Sequence, residues 1–169
     1  NIQFLHAPTT TNIHHAAGEG FGVRADSYVA GRPDYPAEIE DWLTRDLGLG
    51  SGKTALDLAA GTGKFSPRLL ATGAHVIAVE PVREMLDQLI RQFPEIDART
   101  GSAQHLPLDD ASEYAVVCAQ AFHWFSTPEA LREIHRVLKP GGPFVLGWHV
   151  RDDKGPWIAA LTRVMKPFT

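Results

Sequence analysis

Apolar and polar positions change period in a regular rhythm along the chain. Short, nearly continuous apolar runs occupy "TALDLA" (54–59), "AHVIAVE" (74–80), "IDART" (96–100), "YAVVCA" (114–119) and "FVLGWHV" (144–150). Runs of this length and density read as strands buried on both faces. Between them the apolar positions recur at helical spacing. Pro36 opens a helix carrying Ile39, Trp42, Leu43 and Leu47 before Gly48, and a second helix covers Lys64–Thr72 and stops at Gly73. A third, over Val82–Gln92, turns Met85, Leu86, Leu89 and Ile90 inward. In the last, Thr127, Pro128 and Glu129 form a cap and first turn, Leu131, Ile134, Val137 and Leu138 form the apolar stripe, and "KPGG" (139–142) is the stop. Strict alternation of buried strand and helix predicts an α/β fold. It is a Rossmann-like, doubly wound, mostly parallel sheet flanked by helices in three layers, α/β/α, with right-handed crossovers. There is no internal repeat and no low-complexity tract.

The ends of the chain lack this rhythm. Residues 1–24, rich in Thr, Ala, Gly and His without a period, read as a flexible N-terminal arm, and 25–169 as a single domain. With 169 residues, 44% of them hydrophobic, the chain can bury one core. A net charge of -4 gives the protein no overall attraction to nucleic acid or anionic lipid, so neither is an expected partner. No apolar run approaches the roughly 20 residues that span a bilayer, and the N-terminus lacks the layout of a signal peptide. Cys118 is the single cysteine and sits in an apolar run, as a buried structural thiol would, which fits a cytoplasmic setting. His14 and His15 have no third ligand at a metal-binding spacing and belong to the arm, so no metal is expected.

Candidate chemistry begins at "LDLAAGTGKFS" (56–66), where the first strand passes into a helix through Gly61 and Gly63. In a doubly wound sheet this turn brings backbone amides and a helix N-terminus up to a ligand, and a side chain there would block the approach. The second strand ends in Glu80, close to the 20-residue offset at which a carboxylate accepts hydrogen bonds from both ribose hydroxyls, each worth about 1.5–3 kcal/mol. The alternative is a strand terminus in solvent. An adenosine-like moiety is therefore the expected ligand feature. "GLGSGKT" (48–54) imitates a phosphate-binding loop, but Leu47 stands where that pattern needs glycine and the segment precedes its strand. A nicotinamide dinucleotide would want G-x-G-x-x-G, of which Gly61, Gly63 and Ser66 supply two glycines.

Asp57, Ala59, Gly61 and Gly63 fall on the D-x-G-x-G-x-G register of class I S-adenosylmethionine-dependent methyltransferases, with Ala59 in place of the first glycine. The stretches "VIAVEP" (76–81), "GSAQHLPL" (101–108), "YAVVCAQAFHWF" (114–125) and "LREIHRVLKPGGPFVL" (131–146) follow in the same order, so residues 24–150 resemble this family. Upstream, "ADSYVAGRPDYP" (25–36) is similar to the entry segment of its small-molecule branch, methyltransferase type 11. The resemblance implies S-adenosyl-L-methionine as cofactor. It places Asp57 and the backbone of Ala59 and Gly61 at the methionine end and Glu80 at the ribose, with Gly63 and Pro81 as further cofactor-binding residues. Met85 would lie at the adenine face or simply in the core, Ser102, Ala103 and Gln104 at the adenine rim, and Ala119 and Gln120 beside the sulfonium and the acceptor. Tyr28 and Arg32 would fold over the cofactor or remain in a loose arm. His75, His105 and His135 carry no suggestion of catalysis.

"AFHWF" (121–125) follows the C-terminal end of a central strand, where doubly wound sheets hold their chemistry. Phe122 and Trp124 are candidate walls of the substrate pocket, excluding water and facing a cation. His123 is either a general base or a hydrogen-bonded loop residue, since methyl transfer draws mainly on in-line positioning at about 3 Å. The expected function is methyl transfer to a small-molecule nucleophile by direct displacement, in a monomer or homodimer. The rival readings are an NAD(P)-dependent oxidoreductase and a methyltransferase-like binding domain without turnover. The family closes its sheet with two further strands, one antiparallel. Here "RDDKGPWIAALTRVMKPFT" (151–169) follows instead, so the C-terminal strands are expected to be missing from this sequence, which is either C-terminally incomplete or leaves a sheet edge for a partner chain.

Overall fold

The structure is a computed structural model, described over residues 35–148. The N-terminal arm, Tyr28, Arg32 and the segment from His149 onward lie outside the described residues. Within them the elements are α1 (Glu38–Arg45), β1 (Thr54–Leu58), α2 (Ser66–Leu70), β2 (His75–Glu80), α3 (Arg83–Gln92), β3 (Asp97–Thr100), β4 (Ala115–Ala119), a single 3-10 turn (Phe122–Trp124), α4 (Pro128–Val137) and β5 (Phe144–Gly147).

The five strands form one sheet in the order β3-β2-β1-β4-β5, every neighbouring pair parallel. The chain winds outward from β1 through β2 to β3, then crosses back to β4 and β5. The order reverses between β1 and β4, and a doubly wound sheet opens a crevice at the carboxyl ends of such a pair.

Alternation along the strands separates two cores. Ala55 and Val117 face a layer closed by Leu43, Phe65, Leu69 and Leu89, while Leu56, Leu58, Val116 and Cys118 face one closed by Leu106, Ile134 and Val137. This is the three-layer arrangement that the strand and helix rhythm predicts. α4 starts as its sequence implies: Thr127 Oγ1 accepts a hydrogen bond from the Ala130 N–H at 3.2 Å, with Pro128 in the first turn.

Three expectations are corrected. Burial on both faces holds for β1, β2 and β4 but not for β3 and β5, which end the strand order and are only partly covered. Ile90 and Leu131 point outward rather than into the core. Each lies about 100° around its helix from a buried neighbour, Leu89 or Ala130, at the rim of the apolar stripe. α2 is shorter than Lys64–Thr72, a five-residue helix with Pro67 in its first turn.

Candidate functional site

The turn after β1 is held by backbone bonds that fix an unusual path. The Ala59 and Ala60 N–H groups donate to the Val79 carbonyl at 2.8 and 3.3 Å, and the Gly63 N–H to the Ala60 carbonyl at 2.9 Å. The path takes Ala59, Gly61 and Gly63 through φ of +57°, +59° and +87°, a region that glycine enters freely and alanine only at a cost of about 1–2 kcal/mol.

Glu80 closes this turn from the neighbouring strand. One carboxylate oxygen accepts from the Gly61 N–H and the other from the Val82 N–H, each at 2.9 Å. The residue is 4% exposed, so it is not a strand end in solvent. Two N–H partners leave lone pairs on both oxygens. Burial pushes the Glu80 carboxyl above its ordinary value against the pull of those two amides. On the adjacent strand Asp57, 1% exposed, accepts from the Ser66 hydroxyl at 2.7 Å. Burial, opposed by that hydroxyl and reinforced by Glu80, raises its pKa from 3.8 to about 6.

Both carboxylates border a cavity of about 490 Å³ at the carboxyl ends of β1, β2 and β4. Its wall brings together Asp57, Ala59, Gly61, Glu80, Pro81, Met85, Ser102, Ala103, Gln104, Ala119, Gln120 and Trp124. Met85 is buried and also lines the cavity, so packing and contact with a ligand are compatible. Gln120 stands at φ +69°, and its buried Nε2 has no hydrogen-bond partner. A wall of this composition suits a ligand with hydrogen-bond donors and positive charge at one end and an apolar, flat body at the other.

Three candidates stand elsewhere. Gly63 is not part of the wall: a Cβ there would meet Leu89 Cγ and the Phe93 ring at 3.1 Å, so this glycine serves the packing of α3 against the turn. Phe122 packs edge-on against Phe125 and Phe144, with ring centroids 5.7 and 5.5 Å apart, and its ring belongs to the core. His123 is exposed, its ring 4.9 Å from that of Trp124 and off the cavity wall. Tyr35, which lines the cavity, was not among the candidates, and Phe125, an aromatic of the "AFHWF" stretch not singled out as a pocket wall, lines it too. The signal for Phe125 was present in "AFHWF", but the 3-10 turn that decides which aromatic faces inward leaves no periodic trace. Tyr35, edge-on to Phe65 at 4.9 Å, stands in the "PDYP" of the entry segment.

Comparison with known proteins agrees with this geometry. Residues 56–146 match the family model described as a methyltransferase domain. Over 139 residues the chain is 48% identical to an uncharacterized methyltransferase-like protein of Schizosaccharomyces pombe, covering 82% of this chain and 54% of that one. It is 43% identical over 145 residues to an uncharacterized methyltransferase of Mycobacterium tuberculosis, covering 86% of this chain and 58% of that one. A SAM dependent methyltransferase from Aquifex aeolicus superimposes with a TM-score of 0.60 at 23% identity, covering 79% of this chain and 82% of that one. The chain thus spans little more than half the length of these two sequence relatives.

Proposed function

The chain belongs to the class I S-adenosylmethionine-dependent methyltransferases, and on that premise we propose that it moves a methyl group to a small-molecule nucleophile by in-line displacement. The observation that carries this reading is the pairing of Glu80, clamped to the Gly61 N–H, with Asp57 on the wall of one cavity.

The residues fit the cofactor. Bound S-adenosylmethionine supplies an electrophilic methyl group on a positively charged sulfur. Ionised, the two buried carboxylates offer only acceptors, which complement an ammonium and two ribose hydroxyls. Asp57 holds the ammonium; its ionised form costs free energy in the empty fold and is favoured by a bound cation. Glu80 keeps its oxygens oriented through Gly61 and Val82, so ribose meets a preorganised partner. Met85 covers the base and Ser102, Ala103 and Gln104 border its edge, while Pro81 shapes the strand exit. Ala119 and Gln120 border the acceptor side. Trp124 and Phe125 exclude water there, and with His123 off the wall the chain acts on the acceptor by positioning.

Incubation with methyl-tritiated S-adenosylmethionine and a panel of phenols, carboxylic acids, thiols and amines tests this reading. Label should pass to one acceptor class and be blocked by S-adenosylhomocysteine. Binding of NADH in place of S-adenosylhomocysteine would overturn it.

A further inference from the structure

The wall formed by Gly101–Gln104 is continuous with a loop that α4 holds through two charged side chains. Glu133 Oε2 accepts from the Leu106 N–H at 2.8 Å. The Arg136 guanidinium donates to Glu133 at 2.7 and 2.8 Å, to the Leu106 and Leu108 carbonyls at 3.1 and 2.8 Å, and to Asp110 at 2.8 Å. The Arg136 carbonyl in turn accepts from the Ala111 N–H at 2.8 Å. One planar, five-donor group thus fixes three points of a segment that has no regular secondary structure of its own.

The restraint reaches the cavity through a short path. Leu106 and Leu108 are buried in the same core as Ile134 and Val137 of α4. Just before them Ser102 and His105 form an isolated antiparallel bridge, with the His105 N–H donating to the Ser102 carbonyl at 3.1 Å. The entry to the loop is equally constrained, since a Cβ on Gly101 would lie 2.8 Å from Pro107 Cδ and 3.1 Å from Val79 Cγ1. Ser102–Gln104 are therefore held between the end of β3 and a segment clamped to α4.

We propose that Arg136, oriented by Glu133, is a positioning residue that sets the geometry of the Ser102–Gln104 wall and with it the selectivity of the site for the cofactor's base. This rests on the reading above, in which that wall meets adenine. Neither side chain lines the cavity, so both act through the loop. The guanidinium beside it holds the Glu133 carboxyl down to about 2, so the pair stays charged throughout the neutral range.

The test compares wild type with Arg136→Gln and with Arg136→Lys, which keeps the charge without the fork, by hydrogen exchange and by titration. The titrants are S-adenosylhomocysteine and S-inosylhomocysteine, in which hypoxanthine replaces adenine. In Arg136→Gln the amides of His105, Leu106 and Leu108 should exchange about tenfold faster while those of β1, β2 and β4 keep their protection. The dissociation constant for S-adenosylhomocysteine should rise about tenfold, with preference for adenine over hypoxanthine falling in proportion. Arg136→Lys should shift both readouts in the same direction, and serves alone if Arg136→Gln does not fold. Unchanged loop protection, loss of protection spread evenly over the sheet, or intact base preference would overturn the proposal. If wild type binds neither compound, the cofactor reading fails, and loop exchange alone then decides whether the clamp exists.

Discussion

Asp57 carries its charge against the fold, and this makes a sharp prediction. Its pKa of about 6 lies above the ordinary 3.8, so the folded chain holds the proton more tightly than the unfolded one. The associated stability is full below about pH 4 and is lost as pH rises through 6. The whole difference is on the order of 3 kcal/mol at 1.36 kcal/mol per pH unit, of which about 2 kcal/mol falls between pH 4.5 and 7.5. Asp57→Asn removes the charge while leaving an oxygen to accept from Ser66. For a chain of this size 2 kcal/mol corresponds to a Tm change of about 4–8 °C. Thermal melts of both proteins at the two pH values give the comparison, with titrating groups remote from Asp57 cancelling between them. The Tm of the variant relative to wild type should be higher at pH 7.5 than at 4.5 by that amount. The same offset at both values would refute the reasoning. Wild type should also bind S-adenosylhomocysteine more tightly at pH 7.5 than at 5, and the variant should lose this dependence.

Other consequences follow from local geometry. Gly63→Ala should cost about 2–4 kcal/mol in urea unfolding, because positive φ and the 3.1 Å contacts with Leu89 and Phe93 act together. Gly61→Ala should cost only about 1–2 kcal/mol, since the atom nearest its Cβ is Met85 Sδ at 3.8 Å. Ala59→Gly should stabilise by about 0.5 kcal/mol in the same assay, the relief of φ +57° slightly exceeding the added backbone entropy of the unfolded chain. Burial pushes the Cys118 thiol up to about 12, so iodoacetamide at pH 8 should label it only when urea unfolds the protein.

Much of this architecture was legible because buried parallel strands leave continuous apolar runs. The runs around Leu56, Val79 and Val117 could be little else, and Gly61 and Glu80 followed from where those runs ended. What stayed hidden depends on the direction of single side chains. Gly61 and Gly63 look alike in sequence, yet the turn aims one at the cavity and the other at α3. Phe122, expected on the pocket wall, packs into the core while Phe125 borders the cavity, a difference set by the 3-10 turn over Phe122–Trp124. Arg136 meets Leu106 across 30 residues, and Glu133 meets it across 27, so no local period could report the clamp. The expectations for Tyr28 and Arg32 concern residues outside 35–148.

The central claim is that Glu80 and the glycine turn form an adenosyl-binding cradle. Calorimetric titration of wild type and Glu80→Gln with S-adenosylhomocysteine tests it most directly, because the substitution removes the charge while preserving size and an acceptor oxygen. Binding in the micromolar range by wild type, weakened about tenfold in the variant, is the predicted result. Equal affinities in two folded proteins, or no heat from folded wild type, would contradict the account.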